Sequence, residues 1–142
     1  MSDQASSIPK FWGSLTFGNM EMGATFTGVA RAAFEQALEY DHERKQGGGL
    51  LIEHLSFHLR LHDMWRKVEA CRALSHRVLN YNYGPHGAHI LASVTSNTFV
   101  TQNAFAVASE AIQLFGGNGL TREYAVEKMM RDAHLHDRRW RK

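Results

Sequence analysis

Residues 94–119 read VTSNTFVTQNAFAVASEAIQLFGGNG. Val94, Thr98, Thr101, Phe105, Ala108, Ile112 and Phe115 recur at three- and four-residue steps, the spacing of one face of an α-helix. The run stops at Gly116, Gly117, Asn118 and Gly119, where glycine enters left-handed backbone conformations without steric penalty. A helix over about 87–115 is predicted.

The same period extends outward on both sides. Phe26, Ala30, Ala33, Ala37 and Tyr40 predict a helix over about 20–44, ended by Gly47, Gly48 and Gly49. Gly28, inside that helix, marks an expected close helix contact. Leu61, Met64, Val68, Cys71, Leu74 and Val78 form the apolar stripe of a helix over about 51–81, stopped by Tyr83, Gly84 and Pro85. A short fourth helix is expected over 122–134, with Thr121 as its N-cap. Nothing alternates with period two over a sustained stretch. The predicted fold class is therefore all-α, an antiparallel up-down four-helix bundle of three long helices and one shorter. Residues 1–16 read as an N-terminal arm and 17–142 as the helical domain. Helices this long leave apolar surface uncovered in so small a monomer, so a homo-oligomer (dimer or tetramer) or a partner domain is expected.

Composition narrows the function classes. The chain has 142 residues, 44% of them apolar, which fits one globular domain. Sixteen basic and fourteen acidic residues leave a net charge of +2, so no polyanion partner is indicated and no nucleic acid is expected. The polar N-terminus lacks the pattern of a signal peptide, and no apolar run approaches the ~20 residues of a membrane helix. Cys71, the only cysteine, lies on an apolar stripe and reads as a small core residue. A cytoplasmic protein with no membrane association is expected.

Two stretches could carry chemistry. In residues 110–124, EAIQLFGGNGLTREY, a glycine cluster at a helix start would let backbone N–H groups approach a phosphate, with Gln113 one turn before it. The competing reading is an ordinary glycine cap. In residues 40–49, YDHERKQGGG, Arg44 could fork onto a phosphate, or could simply offset a helix C-terminal dipole. His54, His58 and His62 fall four apart, as metal ligands on one helix face can, but no carboxylate completes a zinc-helix spacing, so no metal is assigned. The basic end with Arg138, Arg139, Trp140, Arg141 and Lys142 reads as a solvated tail.

Several blocks together resemble one family. AAFEQALEY (32–40), ERKQ (43–46), LIEH (51–54), KVEACR (67–72) and AIQLFGGNGLTREYAVEKMMRD (111–132) are similar, in order and spacing, to the C-terminal domain of acyl-CoA dehydrogenases. The resemblance covers about residues 17–132. It implies a flavoprotein that removes two hydrogens from acyl-CoA thioesters, with FAD shared across a subunit interface. It implies that Arg44 contacts the FAD diphosphate of a partner subunit and that Gln46 lies beside the same cofactor. Gln113, Gly116 and Gly117 are implied to hold the adenosine-diphosphate half.

The chain also departs from the family. It has neither the N-terminal helical domain nor the middle β-domain, which supply most of the isoalloxazine and acyl-CoA pocket, so a chain carrying them is an expected partner. Gly47 stands where many members have an aromatic. The glutamate that acts as catalytic base in most members has no aligned counterpart. Trp140 falls about where it belongs, Asp137 is out of register, and at the alternative position the chain has Gly18 and Asn19, with Glu21 nearby. The catalytic residue is unassigned. The expected function is the FAD-contacting portion of an acyl-CoA dehydrogenase, not competent as an isolated chain. The alternative is a non-catalytic helical oligomerisation module with half a flavin site or none.

Overall fold

A computed structural model describes the backbone of residues 4–85 and 87–137, and the side chains of 11–85 and 87–134. The chain order is α1 (Gln4–Glu43), β1 (Lys45–Gln46), β2 (Gly49–Leu50), a 3-10 turn (Leu51–Glu53), α2 (Leu55–Asn82), α3 (Ile90–Phe115), a second 3-10 turn (Gly116–Leu120) and α4 (Val126–Asp137). The expected all-α bundle of three long helices and one shorter helix is what forms.

Helix α3 is the central element, packing on α1, α2 and α4. Its contact with α1 is the most extensive. Ala30, Ala33 and Ala37 on α1 and Ala104, Ala108 and Ala111 on α3 are all fully buried. Such small side chains let two helix axes approach closely. The α2 stripe of Leu61, Met64, Val68, Cys71 and Val78 closes the core from the other side. Because α3 has neighbours on several sides, its buried set is wider than one stripe. Ser93, Ser96, Asn97, Val100, Ala104 and Val107 are buried, while Val94, Thr98 and Phe105 are only partly so.

Several boundaries differ from the sequence reading. Helix α1 begins at Gln4, so residues 4–16, set apart above as an arm, continue it, and at ~1.5 Å per residue it spans about 60 Å. In that stretch Phe11 and Trp12 are largely exposed, while Thr16 is buried. Helix α2 starts at Leu55, after the 3-10 turn. Helix α3 starts at Ile90, where the His89 ring accepts a bond from the Ala92 N–H at 3.1 Å. Thr121 does not cap α4, which starts at Val126; its hydroxyl donates to the Asn118 carbonyl at 2.8 Å. The end of α1 that lies among α2 and α3 is lined with polar groups. Asn97 Nδ2 donates to Asn19 Oδ1 at 2.8 Å and Asn82 Nδ2 donates to Ser93 Oγ at 2.8 Å. Burial pushes the Cys71 thiol up to about 11, which fits a core residue and not a nucleophile.

The close-contact glycine is not Gly28. A Cβ at Gly28 would meet nothing within 4 Å, whereas at Gly23 it would rest 3.4 Å from Ser96 Oγ. Glycine in an exposed helix interior costs about 1 kcal/mol against alanine. Gly28→Ala is therefore expected to raise the thermal midpoint by roughly 2–4 °C, read by circular dichroism.

Candidate functional site

Helix α1 stops at Glu43. The Arg44 N–H closes its last turn onto the Tyr40 carbonyl at 2.9 Å, and the Arg44 carbonyl accepts from the Leu51 N–H at 2.9 Å. Between those bonds the chain makes a small hairpin, with Lys45 opposite Leu50 and Gln46 opposite Gly49. Gly47 and Gly48 form its turn at φ +66° and +94°. Two successive positive φ values are what a two-residue hairpin turn with the strands' own twist requires. Side chains alternate along an extended segment, so Arg44 and Gln46 share one side. Both line a cavity of about 340 Å³, and Lys45 does not.

The opposite wall comes from the end of α3. Gln113, Leu114, Phe115, Gly116, Gly117 and Asn118 line the same cavity. All five residues singled out in the sequence, Arg44, Gln46, Gln113, Gly116 and Gly117, therefore meet in one place. Tyr40 was not among them, yet it joins the two walls. Its ring stacks on Phe115 with centroids 4.1 Å apart, and its hydroxyl accepts from Asn118 Nδ2 at 2.9 Å. The signal lay in the periodicity, since Tyr40 and Phe115 are the last members of their two apolar stripes.

The electrostatic reading of the glycine cluster needs correction. Gly116 follows the C-terminus of α3 and its N–H bonds the Gln113 carbonyl; the following turn is a five-residue 3-10 helix. The cavity thus lies at the C-terminal, negative ends of α1 and α3. Among the described residues the positive charge at the cavity is Arg44, which is exposed and has no ion pair. What the glycines supply is space. Gly116 sits at φ +59°, ψ −134°, a conformation that favours glycine. Gly117 has ordinary φ, and a Cβ there would touch nothing within 4 Å. The fold gives no reason for glycine at 117, whereas at Gly119 a Cβ would lie 2.7 Å from the Ile112 carbonyl oxygen.

Other candidate groups fall elsewhere. His54 precedes α2, and its ring is bonded to the hairpin; it does not join His58 and His62 on a helix face. Among the described residues no three metal-type ligands converge. Glu21 lies on α1 at roughly 35 Å from Arg44 by helix rise. Asp137 ends α4, beyond the described side chains, and residues 138–142, including Trp140 and the basic end, lie outside the described residues. A second cavity of about 370 Å³ at the α2–α3 turn, with Leu74, Val78, Tyr81 and Leu91, contains none of the singled-out residues. Among the described residues no helix is long and apolar enough to cross a membrane.

Close to the site, Asp41 is fully buried and neither carboxylate oxygen has a hydrogen-bond partner. Burial raises its pKa to about 6, against the opposing pull of Arg60 and His42. Arg60 itself is engaged by Glu110.

Residues 11–137 match the family described as acyl-CoA dehydrogenase, C-terminal domain. The chain belongs to that family. It is 38% identical over 115 residues to cyclohexane-1-carbonyl-CoA dehydrogenase of Geobacter metallireducens, covering 80% of this chain and 30% of that protein. It is 27% identical over 135 residues to cyclohex-1-ene-1-carbonyl-CoA dehydrogenase of Syntrophus aciditrophicus, covering 95% of this chain and 33% of the relative. The butyryl-CoA dehydrogenase structure from Megasphaera elsdenii superposes with a TM-score of 0.84 at 30% identity, over 88% of this chain and 32% of that one. The acyl-CoA dehydrogenase C-terminal domain thus accounts for nearly all of the chain, which spans about a third of the length of these relatives.

Two predictions follow from the geometry of this domain. Gly119→Ala is expected to destabilise it by about 1–3 kcal/mol through overpacking, while Gly117→Ala leaves the thermal midpoint unchanged. Asp41 binds its proton more tightly folded than unfolded, so its contribution is favourable below about pH 4 and is lost as pH rises through about 6. Asp41→Asn should therefore be more stable than the parent chain at pH 8, on the order of 2 kcal/mol, with the difference vanishing near pH 4. Thermal melts across that pH range check it.

Proposed function

We propose that this domain holds the adenosine-diphosphate half of FAD for an acyl-CoA dehydrogenase, with the rest of the flavin site and the acyl-CoA pocket supplied by domains outside it. The observation that carries the reading is the convergence of Arg44, Gln46, Gln113, Gly116 and Gly117 around one cavity. The donor set suits the ligand. A guanidinium without an internal partner can fork onto a diphosphate, and two amides can serve nucleotide edges. Gly117 leaves open a path that a Cβ would narrow. The cavity's volume sits at the small end of the ~300–1,000 Å³ typical of ligand sites, in keeping with part of a ligand and not the whole.

Bound FAD would supply a two-electron acceptor. This chain's residues would bind and orient it. Among the described residues no carboxylate lines the cavity. Leu55, Leu59, Leu91 and Leu120 are each at least 63% exposed, which favours a chain that works against further protein surface, as a dimer, a tetramer or part of a larger polypeptide.

Calorimetric titration with FAD and with ADP tests the reading. Saturable binding of both is expected, weakened roughly tenfold or more by Arg44→Ala and several-fold by Gln113→Ala. Absence of binding at high micromolar FAD, or equal affinity in Arg44→Ala, contradicts it and leaves the helical assembly module as the reading.

A further inference from the structure

The hairpin that presents Arg44 and Gln46 is poorly suited to hold itself in place. Three of its residues, Gly47, Gly48 and Gly49, are glycine, the residue that loses most conformational freedom on ordering. Its ladder is two residues on each strand. An isolated pairing of that length is not stable by itself. Something outside the hairpin must fix it.

Two adjacent side chains reach back to do so. Glu53 Oε2 accepts from the Leu50 N–H at 3.0 Å, and a Cβ on Gly49 would collide with that same oxygen. His54 Nε2 lies 3.1 Å from the Gln46 carbonyl oxygen, where its N–H donates. The ring also lies against the turn, 3.6–3.7 Å from where a Gly47 Cβ would stand. His54 occupies the N-cap position of α2, where a side chain ordinarily satisfies the first free N–H groups of the helix, yet it makes no cap bond. Its Nε2 instead bonds the carbonyl of Gln46, eight residues back.

We propose that His54 is a positioning residue for the cavity: by bonding the Gln46 carbonyl and lying against Gly47, it holds the glycine hairpin so that Gln46 and Arg44 face the ligand. This rests on the nucleotide reading above. His54 is not among the residues lining the cavity; it acts by sparing the ligand the cost of ordering the hairpin. The bond to Gln46 and the ring contact separate cleanly by substitution. His54→Phe keeps a ring and removes the donor, whereas His54→Gln removes the ring and keeps an N–H at similar reach.

The test combines ADP and FAD titration with hydrogen exchange on the intact 142-residue chain. Expected for His54→Phe is a roughly tenfold loss of affinity with an unchanged thermal midpoint, and faster exchange at residues 47–50. His54→Gln is expected to recover affinity to within about threefold of the parent chain. A loss that was only structural would lower the midpoint and would not be rescued by glutamine. Parent-like affinity in His54→Phe, with Arg44→Ala weakened, overturns the role of His54 while leaving the nucleotide reading intact. Equal losses in the Phe and Gln variants overturn it as well. If the parent chain binds neither ADP nor FAD, the nucleotide reading fails and this inference fails with it.

Discussion

The stack of Tyr40 on Phe115 is the contact on which the cavity depends. It ties the last turn of α1 to the last turn of α3, with ring centroids 4.1 Å apart and Tyr124 set edge-on to both rings. The bond from Asn118 to the Tyr40 hydroxyl adds the turn that follows α3. An offset or edge-on aromatic pair contributes about 0.5–1.5 kcal/mol beyond its burial, and its geometry is specific. Here that geometry brings two segments about 70 residues apart in sequence to face each other. Neither wall would be a site alone: one brings the cation and the other brings the glycines.

Among the described residues, Arg44 is the one charged side chain that lines the cavity. Both α1 and α3 end here, so their dipoles disfavour an anion. The Arg44 guanidinium has no carboxylate partner among the described residues, although Glu39, Glu43 and Glu123 lie around the neighbouring cleft. Asp41, one residue beyond Tyr40, is turned inward to the core and away from this surface.

Much of this was legible in the sequence, and the exceptions have physical causes. The stripes of α1, α2 and α3 are strong because alanine, leucine and valine recur at helical spacing, and the core follows them. The start of α1 was not legible as helix because no apolar stripe at helical spacing marks residues 4–16, where Phe11 and Trp12 are largely exposed. The α4 start failed because a 3-10 turn of glycines consumed the cap that Thr121 offered on paper. The five candidate residues were singled out through family resemblance, and they line one cavity. Their composition misled on one point, since a glycine cluster beside a helix reads alike at its start and at its end. Tyr40 and His54 were missed as site-shaping residues because each acts through a contact that sequence spacing does not reveal.

The most direct measurement is chemical-shift mapping of the ¹⁵N-labelled chain with ADP, which reports where a diphosphate nucleotide settles. The account predicts saturable shifts clustered at Arg44, Gln46, Gln113, Gly116 and Gly117, with the apolar cavity between Leu74 and Thr95 unaffected. Shifts centred on that second cavity, or none at millimolar ADP, would contradict it.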